Sequence, residues 1–319
     1  MVVGVTRSPS RLHRVQTRED RLACAHTQIW LTDSRSTESL NVPASPTSVR
    51  MKVALITEVF FDDIDGERLG TLLAQARDAG GELAVLPELP LNEWSPYSKV
   101  AREGDAEDLD GPRQRIMSAA AAKAGIALVG GAIIVDPGTG SRHNTAVLYA
   151  QDGACLARYR KVHLPEEEGY WETSHYEPGA SGPEAIDGLP LRIGLQICSD
   201  VNRPQGFELL AAQGAEVVVV PRATPGETYN RWRLILRANA IMSCVYVVST
   251  NRPRPEHGAP IGGPSVVISP TGEVLVETTD PLVVVELDRE VVSEAAREYP
   301  GYLARFPRLY AESWGRLKG

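Results

Sequence analysis

From Met51 onward the chain alternates short apolar runs with stretches of helical period. Lys52-Val53-Ala54-Leu55-Ile56-Thr57 reads as a strand. Residues 66–78 follow as a helix with Leu69, Leu72, Leu73 and Ala76 on one face, stopped by Ala79-Gly80-Gly81. A strand over 83–87 runs into Glu88 and a proline-rich loop that lasts to Tyr97. The pattern next predicts a helix over 112–124 ending at Gly125, then strands over 126–135, 144–149 and 154–160. Asp136-Pro137-Gly138-Thr139-Gly140 and Asp152-Gly153 supply the turns between them.

The second half has a similar layout. A strand over 191–197 reaches Cys198, followed by a helix over 204–213, a strand over 216–220 and a loop over 221–226. Residues 227–242 read as a helix with Trp232, Ile235, Leu236 and Ile241 as its apolar stripe. Strands are expected over 244–250, 265–269, 273–278 and 282–287, with Ser269-Pro270-Thr271-Gly272 as a turn. Two such α/β halves predict two sheets packed face to face with helices outside. No sequence repeat relates the halves.

Both ends depart from this pattern. Residues 1–50 show no sustained period and carry seven arginines against four acids. They are expected to be a disordered extension, dispensable for activity and melting temperature, with Met51 a natural start. They contain no apolar region of the length a secretory signal needs. A helix over 289–298 precedes a tail in which Phe306, Leu309, Tyr310 and Trp314 require burial, and a second copy of the chain is one candidate to cover them.

Composition narrows the function class. Hydrophobic residues make up 43% of 319, enough for a sizeable core. No apolar run reaches the ~18 residues of a membrane span. A net charge of −8 argues against a nucleic-acid surface, which wants clustered Lys and Arg. Cys24, Cys155, Cys198 and Cys244 form no Cys-x-x-Cys pair. That spacing suits a reducing, cytoplasmic setting and offers no zinc site, so neither metal nor cofactor is expected.

Three segments carry the chemistry. Leu195-Gln196-Ile197-Cys198-Ser199-Asp200 delivers a thiol to a strand end, Val85-Leu86-Pro87-Glu88 a carboxylate, and Tyr159-Arg160-Lys161 an ammonium. A free thiol of pKa ~8.5 is mostly protonated at neutral pH, so attack on an amide carbon needs a base and a cation nearby. Glu88 suits the base. Lys161 suits both thiolate and oxyanion stabilisation. His163 is expected to be structural, although a Cys198–His163 dyad is the alternative. Cys155 and Cys244 fall in strand patterns and read as core, so Cys198 is expected to react fastest with thiol reagents.

In this order and at these separations, the three segments resemble the nitrilase superfamily of carbon–nitrogen hydrolases, from about Met51 to about Leu309. The resemblance implies a four-layer α-β-β-α sandwich of two mixed sheets, with a hydrolase domain over 51–288 and a tail, 289–319, packed across a homo-oligomer contact. It implies Glu88, Lys161 and Cys198 as a catalytic set acting through a thioester, with the Ser199 N–H as a second oxyanion donor. Glu172, ahead of Tyr176-Glu177-Pro178-Gly179, matches a second family glutamate. Ser199 stands where many members have an aromatic residue, and Asp200 where nitrilases usually have glutamate. Both departures favour amidase or N-carbamoyl hydrolysis of a small molecule, with nitrile hydrolysis or a non-catalytic binding module as rivals. Asn202, Arg203, Arg222 and Asn251 are candidates to line the substrate pocket, with structural ion pairs as the alternative role for the two arginines. The acidic run 166–168 would suit a cationic substrate instead.

Overall fold

The computed structural model describes residues 48–317; the expectations for residues 1–47, Cys24 included, lie outside the described residues. The chain runs β1 (Arg50–Ile56), α1 (Glu67–Asp78), β2 (Leu83–Val85), β3 (Ala106–Glu107), α2 (Pro112–Ala124), β4 (Ala127–Val135), β5 (Arg142–Tyr149) and β6 (Cys155–Arg160). A small hairpin, β7 (Glu166–Glu167) and β8 (Tyr170–Trp171), leads to β9 (Ile193–Leu195), α3 (Gln205–Ala212), β10 (Val217–Arg222), α4 (Tyr229–Ser243) and β11 (Tyr246–Asn251). Then come β12 (Ser265–Ile268), β13 (Val274–Thr278), β14 (Leu282–Asp288), α5 (Arg289–Arg297) and α6 (Pro307–Gly315).

One sheet has the order β14-β1-β2-β4-β5-β6, with β3 also paired to β4. The other has the order β13-β12-β11-β10-β9. Strand alternation sorts the side chains into layers. Met51, Val53 and Leu55 of β1 pack with Val217 and Val219 of β10 and Tyr246 and Val248 of β11 between the sheets. Ala54 and Ile56 face Leu69 and Leu73 of α1, beside Met117 and Ala121 of α2. Val218 and Val220 face Phe207 and Leu210 of α3 and Leu236 and Ala240 of α4. The fold is therefore an α-β-β-α sandwich. Burial on both faces explains why the central strands read as unbroken apolar runs.

The parallel segments, β1-β2-β4 and β9-β10-β11, use helices as crossovers, which brings the C-terminal ends of neighbouring strands to one edge. β6 reaches the same edge of its sheet through two antiparallel turns after β4. Glu88, Lys161 and Cys198 each follow a strand end of this kind.

Several boundaries differ from expectation. β1 begins at Arg50, paired with Asp288 of β14, because the Arg50 guanidinium bonds Asp288 and Glu286 at 3.1 and 2.9 Å. β9 keeps only three residues, since the chain turns toward Cys198 after Leu195. β10 continues through Pro221 and Arg222, opposite Thr250 and Asn251, where a loop was expected. Cys244 belongs to no strand: it ends α4 in the left-handed region, at φ 55°. Cys155 is exposed rather than core, because β6 is an edge strand with one open face. Among the described residues no helix is long and apolar enough to cross a membrane.

Candidate active site

Lys161 sits at the centre of the site. It follows β6, where its backbone N–H bonds Asn144 O at 2.9 Å and its carbonyl accepts from Gly179 N at 2.8 Å. The second bond explains the Pro178-Gly179 turn: a Cβ on residue 179 would lie 2.6 Å from Arg160 O, so only glycine allows the approach. The side chain is buried, and its Nζ donates to Glu88 Oε1 at 2.8 Å and to Glu172 Oε1 at 2.7 Å. Burial alone would lower the ammonium pKa. The charges of Glu172 and Glu88 outweigh it and hold the pKa well above the ordinary lysine range.

Glu88 leaves the first sheet just after β2 and is buried. Its Oε1 also accepts from Asn144 Nδ2 at 2.8 Å, while Oε2 has no partner among the described residues. Glu172 opens a one-turn helix after β8, anchored by its N–H to Pro165 O at 3.0 Å. It is wholly buried, and its Oε2 is likewise unpartnered among the described residues. Burial pushes its carboxyl pKa up, with Lys161 opposing and Glu88 adding, to about 8. Two carboxylates thus share one ammonium, and one free carboxylate oxygen remains on each.

Cys198 follows β9 in the left-handed region, at φ 45°, a conformation that non-glycine residues adopt rarely. It is 5% exposed. Burial first, then the Glu88 charge, push its thiol pKa well above the usual range; Lys161 and the Ala223 amide pull the other way. Lys161 joins Glu88 and Glu172 directly, and the charges of all three act on the Cys198 sulfur. Cys198 therefore keeps its proton as a thiol at neutral pH.

Asp200 ties the cysteine turn to the lysine strand. Its wholly buried carboxylate accepts from Ile197 N at 3.1 Å and Tyr159 Oη at 3.0 Å. It also accepts from Val162 N at 3.2 Å and His163 N at 2.9 Å, and meets His163 Nδ1 at 2.9 Å. His163 is thus structural but partnered by a carboxylate rather than by backbone alone. Among the described residues neither of its ring nitrogens bonds the Cys198 thiol.

The four expected pocket residues behave differently. Asn202 and Arg203 are exposed and bond within their own turn, to Ser199 O at 3.1 Å and Asn202 O at 3.2 Å. Arg222 continues the β10 alternation toward α4. It is buried, bonded to Ser249 Oγ at 2.9 Å, Thr224 Oγ1 at 2.5 Å and the Pro264 carbonyl, and lies over the Tyr229 ring. Burial lowers its pKa to about 10, and among the described residues it has no carboxylate partner, so it is no ion pair. Asn251 bonds Thr224 N at 2.9 Å and Gly262 O at 2.5 Å, which takes it out of the pocket lining and makes it a strap between loops. Among the described residues none of the four side chains hydrogen-bonds Glu88, Lys161, Glu172 or Cys198, although the Cys198 sulfur acts on the Arg222 guanidinium through space.

Sequence reasoning missed Asn144, Arg252 and Tyr170. Asn144 lies on an unremarkable strand, and Arg252 directly follows one. Neither carries a periodic signal, since each acts through a distant segment.

Comparison with known proteins agrees with this geometry. Residues 66–297 match the carbon-nitrogen hydrolase family model. The chain is 29% identical over 270 residues to omega-amidase NIT2 of Danio rerio, covering 80% of this chain and 95% of that one. A carbon-nitrogen hydrolase from Helicobacter pylori G27 shares the fold at a TM-score of 0.74 and 24% identity, over 84% of this chain and 99% of that one. A variant of the amidase from Nesterenkonia sp. AN1, carrying a Michael adduct of acrylamide at its active-site cysteine, matches at a TM-score of 0.67 and 26% identity, over 82% and 99% of the two chains. With the family model spanning most of its length, the chain belongs to the carbon-nitrogen hydrolase family.

Proposed function

We propose that this protein hydrolyses the carbon–nitrogen bond of a small linear amide or N-carbamoyl compound through a thioester on Cys198, releasing ammonia. One observation carries the reading. A buried ammonium is bridged between two buried carboxylates, each with one free oxygen, beside a buried thiol. Glu88 Oε2 takes the thiol proton as sulfur attacks the carbonyl carbon. Lys161 Nζ and the Ser199 N–H hold the oxyanion. Glu88 then returns the proton to the leaving nitrogen, and the carbon–nitrogen bond breaks as the thioester forms. A water, deprotonated by Glu88, adds to the thioester and restores the thiol. Glu172 fixes Lys161 Nζ through Oε1 and leaves Oε2 for the substrate.

A linear amide is the first choice, because the relatives named above include an omega-amidase and an amidase. The reading includes a cytoplasmic setting and a homo-oligomer. Tyr299, Tyr302, Phe306, Leu309, Tyr310 and Trp314 are each more than half exposed, and a second copy would cover them; sedimentation velocity should give at least a dimer.

The deciding experiment scores ammonia release from linear amides, N-carbamoyl compounds and nitriles by the full chain and by Cys198→Ala. Acrylamide treatment followed by peptide mass spectrometry should find an adduct on Cys198. Ammonia release that survives in Cys198→Ala would refute the mechanism. Acid formed from a nitrile but not from its amide would replace the amidase reading with a nitrilase one.

A further inference from the structure

Tyr170 lies on β8, two residues before Glu172. Its ring is 7% exposed and packs with Leu89, Trp94, Ile133, Ala223 and Ile261. Leu89 directly follows Glu88, and the amide of Ala223 acts on the Cys198 sulfur, so this apolar cluster forms a wall of the active site. The hydroxyl of Tyr170 is buried and has no hydrogen-bond partner among the described residues. Burial first, then the charges of Cys198, Glu88, Glu167 and Glu172, push its pKa up, so the phenol keeps its proton and is a donor.

The hydroxyl is held in place. Trp94 Nε1 donates to Gly169 O at 2.8 Å, and the two rings meet edge to face at 5.8 Å. Glu167 pairs with Tyr170 across the hairpin, and Gly169 makes the turn at φ 79°. A ring fixed on its face and its backbone cannot swing to find a protein acceptor. A buried donor without a partner costs stability, and phenylalanine would fill the same space without that cost. Tyr149 also carries a buried hydroxyl without a partner. It differs in that the charges acting on it are those of Cys155, Arg158, Glu107 and Asp110, none of them in the catalytic group.

We propose that Tyr170 is a substrate-binding residue whose hydroxyl donates to a second acceptor oxygen of the substrate, in addition to the scissile carbonyl. The oxyanion already has donors in Lys161 and the Ser199 N–H, so the phenol addresses a different atom. With Glu88, Glu167 and Glu172 close by, that oxygen is neutral: a hydroxyl, keto or ether oxygen rather than a carboxylate. The substrate class is therefore an oxygen-bearing small amide. This inference rests on the hydrolase reading above.

The test uses the full chain and Tyr170→Phe with short aliphatic amides, each compared with analogues hydroxylated at successive carbons. In Tyr170→Phe, kcat/KM should fall by about tenfold for at least one hydroxylated amide, mainly through KM, and by less than about twofold for its unsubstituted partner. The melting temperature should stay or rise, because an unsatisfied hydroxyl is removed. Equal losses for every amide, or a melting temperature several degrees lower, would overturn the assignment. If the wild type releases no ammonia from any amide, the hydrolase reading fails separately. Calorimetric titration of Cys198→Ala, with and without Tyr170→Phe, then decides the inference by binding alone: hydroxylated amides must bind tighter than plain ones only when the phenol is present.

Discussion

Arg252 donates from a single nitrogen, Nη1, to the carbonyl oxygens of Glu88 and Leu89, at 2.9 and 2.8 Å. Its Nη2 reaches Asn92 O at 3.0 Å, so the guanidinium spans the loop that leaves the base. Leu89 lies in the left-handed region, at φ 49°, and this is the conformation the guanidinium pins. Glu256 supplies the counter-charge, accepting from Arg252 Nε and Nη2 at 2.9 and 2.7 Å, and also accepts from Trp94 N at 3.1 Å. Arg252 follows the end of β11 in one sheet, and Glu88 follows β2 in the other. The strap therefore sets the position of the base from across the sandwich.

Arg252→Lys should lower kcat by about a hundredfold with a smaller change in KM, because one ammonium cannot span three carbonyls and a misplaced base is costly. Stability should fall by about 3–5 kcal/mol, since Glu256 is left buried beside a poorer partner. Adding Glu256→Gln should cost further stability, read by denaturant titration, because the buried ammonium then loses its counter-charge. A variant that keeps full kcat while losing stability would show that the strap does not position the base.

Asp200→Asn removes an acceptor that gathers five hydrogen-bond contacts from Tyr159, Val162, His163 and Ile197. We expect a loss of roughly 1.5–3 kcal/mol, typical for hydrogen bonds to a charged group. Lys161 and Cys198 should also lose their mutual register, with kcat dropping at least about tenfold. Unchanged kcat in a destabilised variant would limit Asp200 to the fold.

The stability of the protein should fall as pH rises through the neutral range. Glu172 holds its proton up to about pH 8 in the folded chain but releases it near pH 4.3 when unfolded. Between those values the native state binds the extra proton, so each pH unit gained costs up to about 1.4 kcal/mol. Glu172→Gln cannot titrate. Its melting temperature relative to wild type should therefore climb from pH 5 to pH 8, on top of a constant offset from the altered Lys161 contact. A difference that stays flat across the window would contradict the raised carboxyl.

The order of thiol labelling should reverse the sequence expectation. Cys155 is exposed, whereas Cys198 is buried with its thiol held protonated. A bulky maleimide at pH 7 should modify Cys155 first and Cys198 slowly, as read by peptide mass spectrometry of a time course. Cys198 labelled first by the bulky reagent would mean an open, ionised nucleophile.

Local sequence pointed to the layers and to Glu88, Lys161 and Cys198 as candidates, and the family resemblance added Glu172. Val217 to Val220 read as a strand buried on both faces, and Lys161 and Cys198 each follow a strand that ends at the sheet edge. The tertiary structure alone decided what surrounds them. Arg222 and Asn251 looked like pocket residues by position, but strand parity and the 262–264 loop turned both into internal bonds. Arg252 and Asp200 bond segments far away in the chain, and the Tyr170 hydroxyl is buried without a partner among the described residues; no local pattern encodes either. Residue type and spacing set which groups can reach an edge; the packing of two sheets decides which of them meet.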